Sequence, residues 1–400
     1  MPSSGVSHLA GAAQSADIVY LDNSSTTRPD SQVVRAVTEV LEHDFGNPSS
    51  LHRLGAKAER LMDEARERVA QMINADPGEI YFTSGGTEAN NWAIAGTASA
   101  GKERHIVSTT VEHPSVIALL DALHEEGWEI TLVGVDGEGR VDPDEVLDAV
   151  TEDTALVSVM FVQNEIGTLQ DCREIGRRLL SLGPKKPRFH VDAVQGFARL
   201  PIDVKDWGVD LLTMSAHKIH GIKGAGALYI RKGVRLRPLV FGGGQESGLR
   251  SGTENMPGIV GFGEACKLWS EDREEVMSRL ASLRKRLIAG IKGALPDAVL
   301  HGPQEEGVAP HICHFAFPGF KGESILHALE ARNVFVSTGS ACSSHKTRPS
   351  PVVMALGRSE DEALASIRFS MSRYTTEKDI DRAVEALDES LKELSAWRKK

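Results

Sequence analysis

From residue 79 to residue 230 the chain alternates short apolar runs with amphipathic stretches, and this alternation restricts its fold more than any other feature. The strand-like runs are EIYFTS (79–84), HIVSTT (105–110), EITLVGV (129–135), ALVSVMFV (155–162), FHVDA (189–193), DLLTM (210–214) and ALYI (227–230). Helical patterns such as SVIALLDALHEEG (115–127) lie between most of them. Parallel strands cannot be joined by tight turns and need crossovers of about this length. The expected product is a mostly parallel sheet with helices on both faces, an α/β fold.

The flanks complete the plan. Within Ser31–His43, Val33, Val34, Val37, Val40 and Leu41 share one helical stripe, and Leu51–Ile73 repeats the pattern over a longer span. After about residue 260 a long helical pattern runs from Gly258 to Lys292. Short strands follow at AVLHG, HICHFAF and SIRFSMS, with helices near 322–331 and 376–395. The expected organisation is an N-terminal arm over 1–18, a large domain over 19–260 and a smaller α+β domain over 261–400. A mobile loop is expected near 337–351, and a cleft between the domains is the default place for a small molecule.

Composition excludes several functions. The 400 residues carry 45 Lys and Arg against 56 Asp and Glu, a net charge of −11, which does not suit a nucleic-acid binder. No apolar stretch approaches the roughly eighteen residues a membrane span requires. Lys and Arg are absent before Arg28, which argues against a secretory or mitochondrial leader. The four cysteines, Cys172, Cys266, Cys313 and Cys342, show no CxxC spacing, so neither a disulfide framework nor a zinc site is expected and a cytoplasmic location fits.

Chemistry collects where strands end, which is where open parallel sheets bind ligands. In FTSGGTEANN, Gly86 and Thr87 stand where a strand enters a helix, and helix N-terminal N–H groups favour a phosphate. FHVDAVQG ends a strand with Asp192 and Gln195, and an aspartate in an apolar strand is costly unless paired. His113 precedes a helix in VEHPSV, and Asn164 lies in VQNEIG. Each alone has an ordinary structural reading as a glycine turn, a cap or ion pair, a structural histidine or a turn residue. Lys218 alters the balance. In SAHKIHGIKGAG it follows the strand DLLTM, flanked by Ser215 and His217, where a solvated surface role is unsuited. Lysines in such places lower their pKa and attack aldehydes. A pyridoxal phosphate site needs such a lysine, an acid for the ring nitrogen and a phosphate cradle.

These stretches resemble the cysteine desulfurases of the NifS/IscS group, class-V aminotransferase-like enzymes with the aspartate-aminotransferase fold (fold type I). The matching segments run in order along almost the whole chain: YLDNSSTT (20–27), GNPSSLHRLG (46–55), FTSGGTEANN (82–91), VEHPSV (111–116), NEIG (164–167), HVDAVQ (190–195), SAHKIHGIKGAGALY (215–229), GGGQESGLRSGTEN (242–255), STGSAC (337–342) and SIRFSMSR (366–373).

The resemblance implies roles. Lys218 bonds the pyridoxal 5'-phosphate aldehyde and later moves protons, Asp192 meets the ring nitrogen, and Gln195 meets the ring hydroxyl. His113 stacks on the ring and helps move protons. Thr87, Ser215 and His217 hold the phosphate with backbone near Gly86, and Thr253 reaches the phosphate of a partner subunit in a homodimer. Arg368, with Asn47 and Asn164 nearby, takes the carboxylate of L-cysteine. Strand alternation in SIRFSMS agrees: Ile367, Phe369 and Met371 share one face and Arg368 the other. Cys342, with His345, Lys346 and Arg348 near it in sequence to favour a thiolate, would receive sulfur as a persulfide. A long loop would carry that sulfur to an acceptor or iron–sulfur scaffold protein. Ser24 and Ser25 stand where Asn-Ala is commoner, and Ile219 and His220 where an aromatic-containing pair is frequent. Neither departure touches an implied catalytic role, and Cys172, Cys266 and Cys313 are expected to be structural. Two other readings compete: a selenocysteine lyase on the same fold and cofactor, and a non-catalytic scaffold, which Lys218, Asp192, His113 and Arg368 together oppose.

Overall fold

The computed structural model describes residues 18–338 and 348–398. Its strands in chain order are β1 (Val19–Tyr20), β2 (Ile80–Thr83), β3 (His105–Thr109), β4 (Glu129–Val133), β5 (Thr154–Met160), β6 (Arg188–Asp192), β7 (Leu211–Ser215), β8 (Gly226–Ile230), β9 (Val299–His301), β10 (Ile312–Ala316), β11 (Val334–Phe335) and β12 (Ser366–Ser370). Seven form the central sheet in the order β2-β8-β7-β6-β5-β3-β4. The strands from β7 to β4 pair in parallel. Their middles are buried on both faces, which explains near-continuous apolar runs such as Leu211, Leu212 and Met214. Of these strands only the edge strand β4 carries exposed residues.

β8 runs antiparallel to both β7 and β2. The reason is local. Residues 216–225 hold only a short 3-10 turn, Ala216–Lys218, and no crossover helix, so the chain doubles back. Gly226 opens β8. A Cβ there would meet Gly85 Cα and the Met214 carbonyl at 2.7 Å each, so a side chain would push away the turn that leads into helix Gly86–Ala98.

The C-terminal third builds a second layer. β12, β10 and β9 form an antiparallel sheet in that order, backed by helices Gly322–Glu330 and Glu377–Arg398. β1 pairs in parallel with β11, and Asp22 bridges to Ser370, so the first described residues lie with this layer, not with the central sheet. Helix Met256–Ala294 joins the layers and runs past residue 260 before its backbone breaks at Asp272 (φ −142°, ψ 18°). Before the break it packs on Val33, Val37 and Ala65; after it, Gly290 packs on Val384.

Candidate active site

A cavity of about 270 Å³ opens at the carboxyl ends of β3, β5, β6 and β7 and is closed by Arg368 of β12. Of the residues singled out from sequence, Gly86, Thr87, His113, Asn164, Asp192, Gln195, Ser215, His217, Lys218 and Arg368 all line it. Chain segments far apart converge because parallel strands deliver their successive loops to one end of the sheet.

Lys218 closes the 3-10 turn after β7. Its Nζ donates to the carbonyls of Ser24 (2.6 Å) and Ser25 (2.7 Å). These serines therefore line the site, although their departure from the commoner Asn-Ala touched no implied role. For Lys218 a backbone carbonyl serves whatever the side chain, but the Ser25 hydroxyl also meets Arg368, so that departure does reach a site residue.

Asp192 is 4% exposed at the tip of β6. Its Oδ2 accepts from Asn90 Nδ2 at 2.7 Å and its Oδ1 from Val194 N at 2.9 Å, which offsets the cost of burying a carboxylate. Asn90 also donates to Ser115 Oγ at 2.9 Å, and Ser115 Oγ pairs with His113 Nδ1 at 2.8 Å. His113 Nδ1 accepts the Ser115 N–H at 3.1 Å, so a neutral ring carries its proton on Nε2. Burial holds His113 below the ordinary histidine range, Asp192 opposes this, and Lys218 adds to it. Asn90 and Ser115 escaped sequence reading. The signal available was Asn90's place one helical turn after Gly86, on the same face.

One end of the cavity gathers unsatisfied groups of the kind a phosphate would satisfy. Ser215 Oγ is buried without a hydrogen-bond partner. Helix Gly86–Ala98 starts at Gly85 with no side-chain cap, leaving its leading N–H groups for a ligand. A Cβ on Gly86 would approach Val194 Cγ2 to 2.8 Å and fill this corner. Burial, with Lys218 next, pulls His217 down to about 4, so it is neutral. Its Nδ1 pairs with Thr26 Oγ1 at 3.1 Å, leaving the other ring nitrogen for a ligand. Gln195 Nε2 donates to the Ser24 carbonyl at 2.9 Å, and its buried Oε1 has no partner and is free to accept from a ligand.

At the opposite end Arg368 Nη1 donates to the Asn164 carbonyl at 3.0 Å. Its Nη2 donates to Asp22 Oδ1 at 2.9 Å and Ser25 Oγ at 2.7 Å. Arg368 Nε is buried and without a partner. Asn47 and Thr253 do not line the cavity; both are exposed on the surface. Cys342 lies outside the described residues, as do His345 and Lys346. Cys172, Cys266 and Cys313 are buried, and burial raises each thiol, Cys313 to about 12, which unfits them as nucleophiles.

A lysine at a strand end, a buried carboxylate, and an uncapped helix start beside an unpartnered serine define a pyridoxal-phosphate enzyme, and the residues present fit that cofactor. The chain belongs to the class-V aminotransferase family, whose profile matches residues 19–383. The family's enzymes carry pyridoxal phosphate. The chain is 43% identical over 378 residues to a cysteine desulfurase IscS of Clostridium botulinum, covering 94% of each. A solved NifS-like protein is 36% identical with a TM-score of 0.88, covering 94% of this chain and 99% of that one. A structure of SspA in complex with cysteine is 31% identical with a TM-score of 0.78, covering 89% of this chain and 99% of that one. No helix among the described residues is long and apolar enough to cross a membrane.

Proposed function

We propose that this chain is a pyridoxal-phosphate-dependent cysteine desulfurase that converts L-cysteine to L-alanine and leaves the sulfur on Cys342 as a persulfide. The observation that carries the reading is one cavity lined by Lys218, Asp192, His113, Ser215 and Arg368. The name of the Clostridium botulinum relative and the cysteine bound to SspA support the substrate.

Bound pyridoxal phosphate supplies an electron sink for the substrate carbon. The chain's residues do the rest. Arg368 takes the substrate carboxylate, and Asn164 lies beside it. Asp192 keeps the ring nitrogen protonated, which maintains the sink. Lys218 Nζ removes the proton from the substrate α-carbon and returns protons to the product. His113, neutral and protonated at Nε2, moves a further proton. The Cys342 thiolate attacks the substrate sulfur. The carbon–sulfur bond breaks with its electron pair going to carbon, and a sulfur–sulfur bond forms on Cys342. A proton on carbon completes alanine.

The same reading extends outward. The enzyme acts as a homodimer in the cytoplasm. Thr253, on an exposed loop, reaches the phosphate of the partner subunit, and Asn47 assists substrate binding. The persulfide passes to an acceptor or scaffold protein serving iron–sulfur cluster assembly or thiolation.

The test is Cys342→Ser, since a hydroxyl is a far weaker nucleophile than a thiolate. Cofactor colour should remain while alanine formation falls to background. In wild type, alkylation and mass spectrometry should find one extra sulfur at Cys342 and none at Cys172, Cys266 or Cys313. Full desulfuration by the variant, or sulfur mapped elsewhere, would refute the transfer step. Selenide release that survives Cys342→Ala would move the reading to a selenocysteine lyase.

A further inference from the structure

Arg199 is 2% exposed, and among the described residues no carboxylate pairs with it. Its Nη1 donates to the Gln195 carbonyl at 3.0 Å and its Nη2 to the Lys218 carbonyl. Those carbonyls belong to turns that leave different strands, β6 and β7. The Lys218 turn is held on both sides as well. Thr27 N and Oγ1 donate to the His217 carbonyl at 2.9 and 2.8 Å, and Trp269 Nε1 donates to the Ile219 carbonyl at 3.1 Å. Among these donors Arg199 alone is charged, and it alone also grips the Gln195 turn.

Such a placement is unfavourable by itself. A buried cation with no counter-ion is costly, and burial pulls the guanidinium down to about 9. The preceding residue, Ala198, adopts φ 63°, a left-handed conformation that a residue with a Cβ resists. Neutral donors fill the equivalent role at Thr27 and Trp269, so donation alone does not require a guanidinium. Reaching carbonyls on two separate turns with two N–H groups held in one plane favours a guanidinium fork.

We propose that Arg199 is a positioning residue: it clamps the turn carrying Gln195 to the turn carrying Lys218 and so fixes the amine that bonds the cofactor relative to the group that meets its ring hydroxyl. The inference rests on the reading of Lys218 as that amine. The charge acts alongside the geometry. His217 and Lys218 on the clamped turn, His220 just after it, His311 ahead of β10 and Arg373 across the Trp269 ring are the titratable and charged groups around it. After burial, Arg199 contributes to holding all three histidines low.

The experiment compares wild-type, Arg199→Lys and Arg199→Met holoenzymes. It reads kcat and KM on L-cysteine, visible absorbance against pH, and the thermal midpoint. Methionine removes fork and charge; lysine keeps the charge without the fork. Both variants should lose about tenfold or more in kcat with KM changed less than about threefold, because the defect lies in alignment. The pH midpoint of the absorbance change should rise by roughly half a unit in the methionine variant, where a like charge has gone, and stay near wild type in the lysine variant. A lower thermal midpoint with unchanged kcat, KM and absorbance titration in both variants overturns the proposal. If the methionine variant does not fold, unchanged kcat in the lysine variant overturns it. A Lys218→Ala variant that keeps the wild-type pH-sensitive band would instead overturn the reading of Lys218.

Discussion

Arg368 Nη2 lies 2.9 Å from Asp22 Oδ1, so the guanidinium that closes the cavity is partnered and oriented before any substrate arrives. Asp22 comes from the segment after β1 and Arg368 from β12, and their contact crosses almost the whole chain length. The arginine cannot swing freely towards solvent, and under the proposed role a substrate carboxylate would meet a preset donor.

Arg368→Ala should therefore raise KM for L-cysteine by about 10- to 100-fold, the equivalent of a lost charge-assisted hydrogen bond of roughly 1.5–3 kcal/mol. Cofactor absorbance should be retained, because the ring and phosphate groups are untouched. Steady-state kinetics with a parallel absorbance scan decide. Lost colour with unchanged KM would assign the arginine to structure.

Asp192→Asn should lower kcat by on the order of 100-fold or more while the protein still folds. An amide cannot hold the ring nitrogen protonated. It also turns an NH₂ group towards Asn90 Nδ2 or Val194 N, both of which donate to the carboxylate. Single-turnover alanine formation is the measurement, and a wild-type rate would remove Asp192 from this role.

Mixed dimers test Thr253. Pairing a Lys218→Ala chain with a Thr253→Ala chain places both defects in one site and neither in the other if Thr253 acts across the interface. Activity should then recover in part on mixing. Verified subunit exchange without recovery would confine Thr253 to its own subunit.

Glu112 carries the clearest pH prediction. Burial raises its carboxyl from the usual 4.5 to about 8, while the Met160 N–H and Thr109 hydroxyl on Oε1 pull the other way and the charge of Asp192 adds to the rise. Its Oε2 is buried with no donor to stabilise a negative charge there. A folded-state pKa above the unfolded one means the native state holds the proton longer. The contribution of Glu112 is thus fully present below about pH 4.5 and lost as pH rises towards 8, at up to about 1.4 kcal/mol per pH unit. Glu112→Gln should flatten the fall of the thermal midpoint between pH 5 and pH 8. A slope identical to wild type would mean that Glu112 is ionised in the native protein.

Much of the site was legible because its residues punctuate local patterns. Asp192, Ser215 and Lys218 interrupt or end apolar runs, and Gly86 stands where strand periodicity gives way to helix periodicity. Asn90 and Ser115 were not, since an asparagine on a helix and a serine after a proline have many ordinary uses. Asp22, Ser24 and Ser25 gave no local sign that they reach Lys218 and Arg368.

By itself the sequence determined the alternation of strands and helices, the burial of the central strands and the strand ends where polar groups had to gather. These depend on periodicity over a few residues, which hydrophobic burial reads directly. Tertiary structure decided the rest. The chain reverses at β8 because the segment before it is too short for a crossover. β1 joins the C-terminal layer. Arg199 can span two turns, and Asp22 can hold Arg368, only after separate strands have been set side by side. Such contacts depend on strand order and on which buried donor finds which buried acceptor, and neither is encoded in the spacing of residues along one segment.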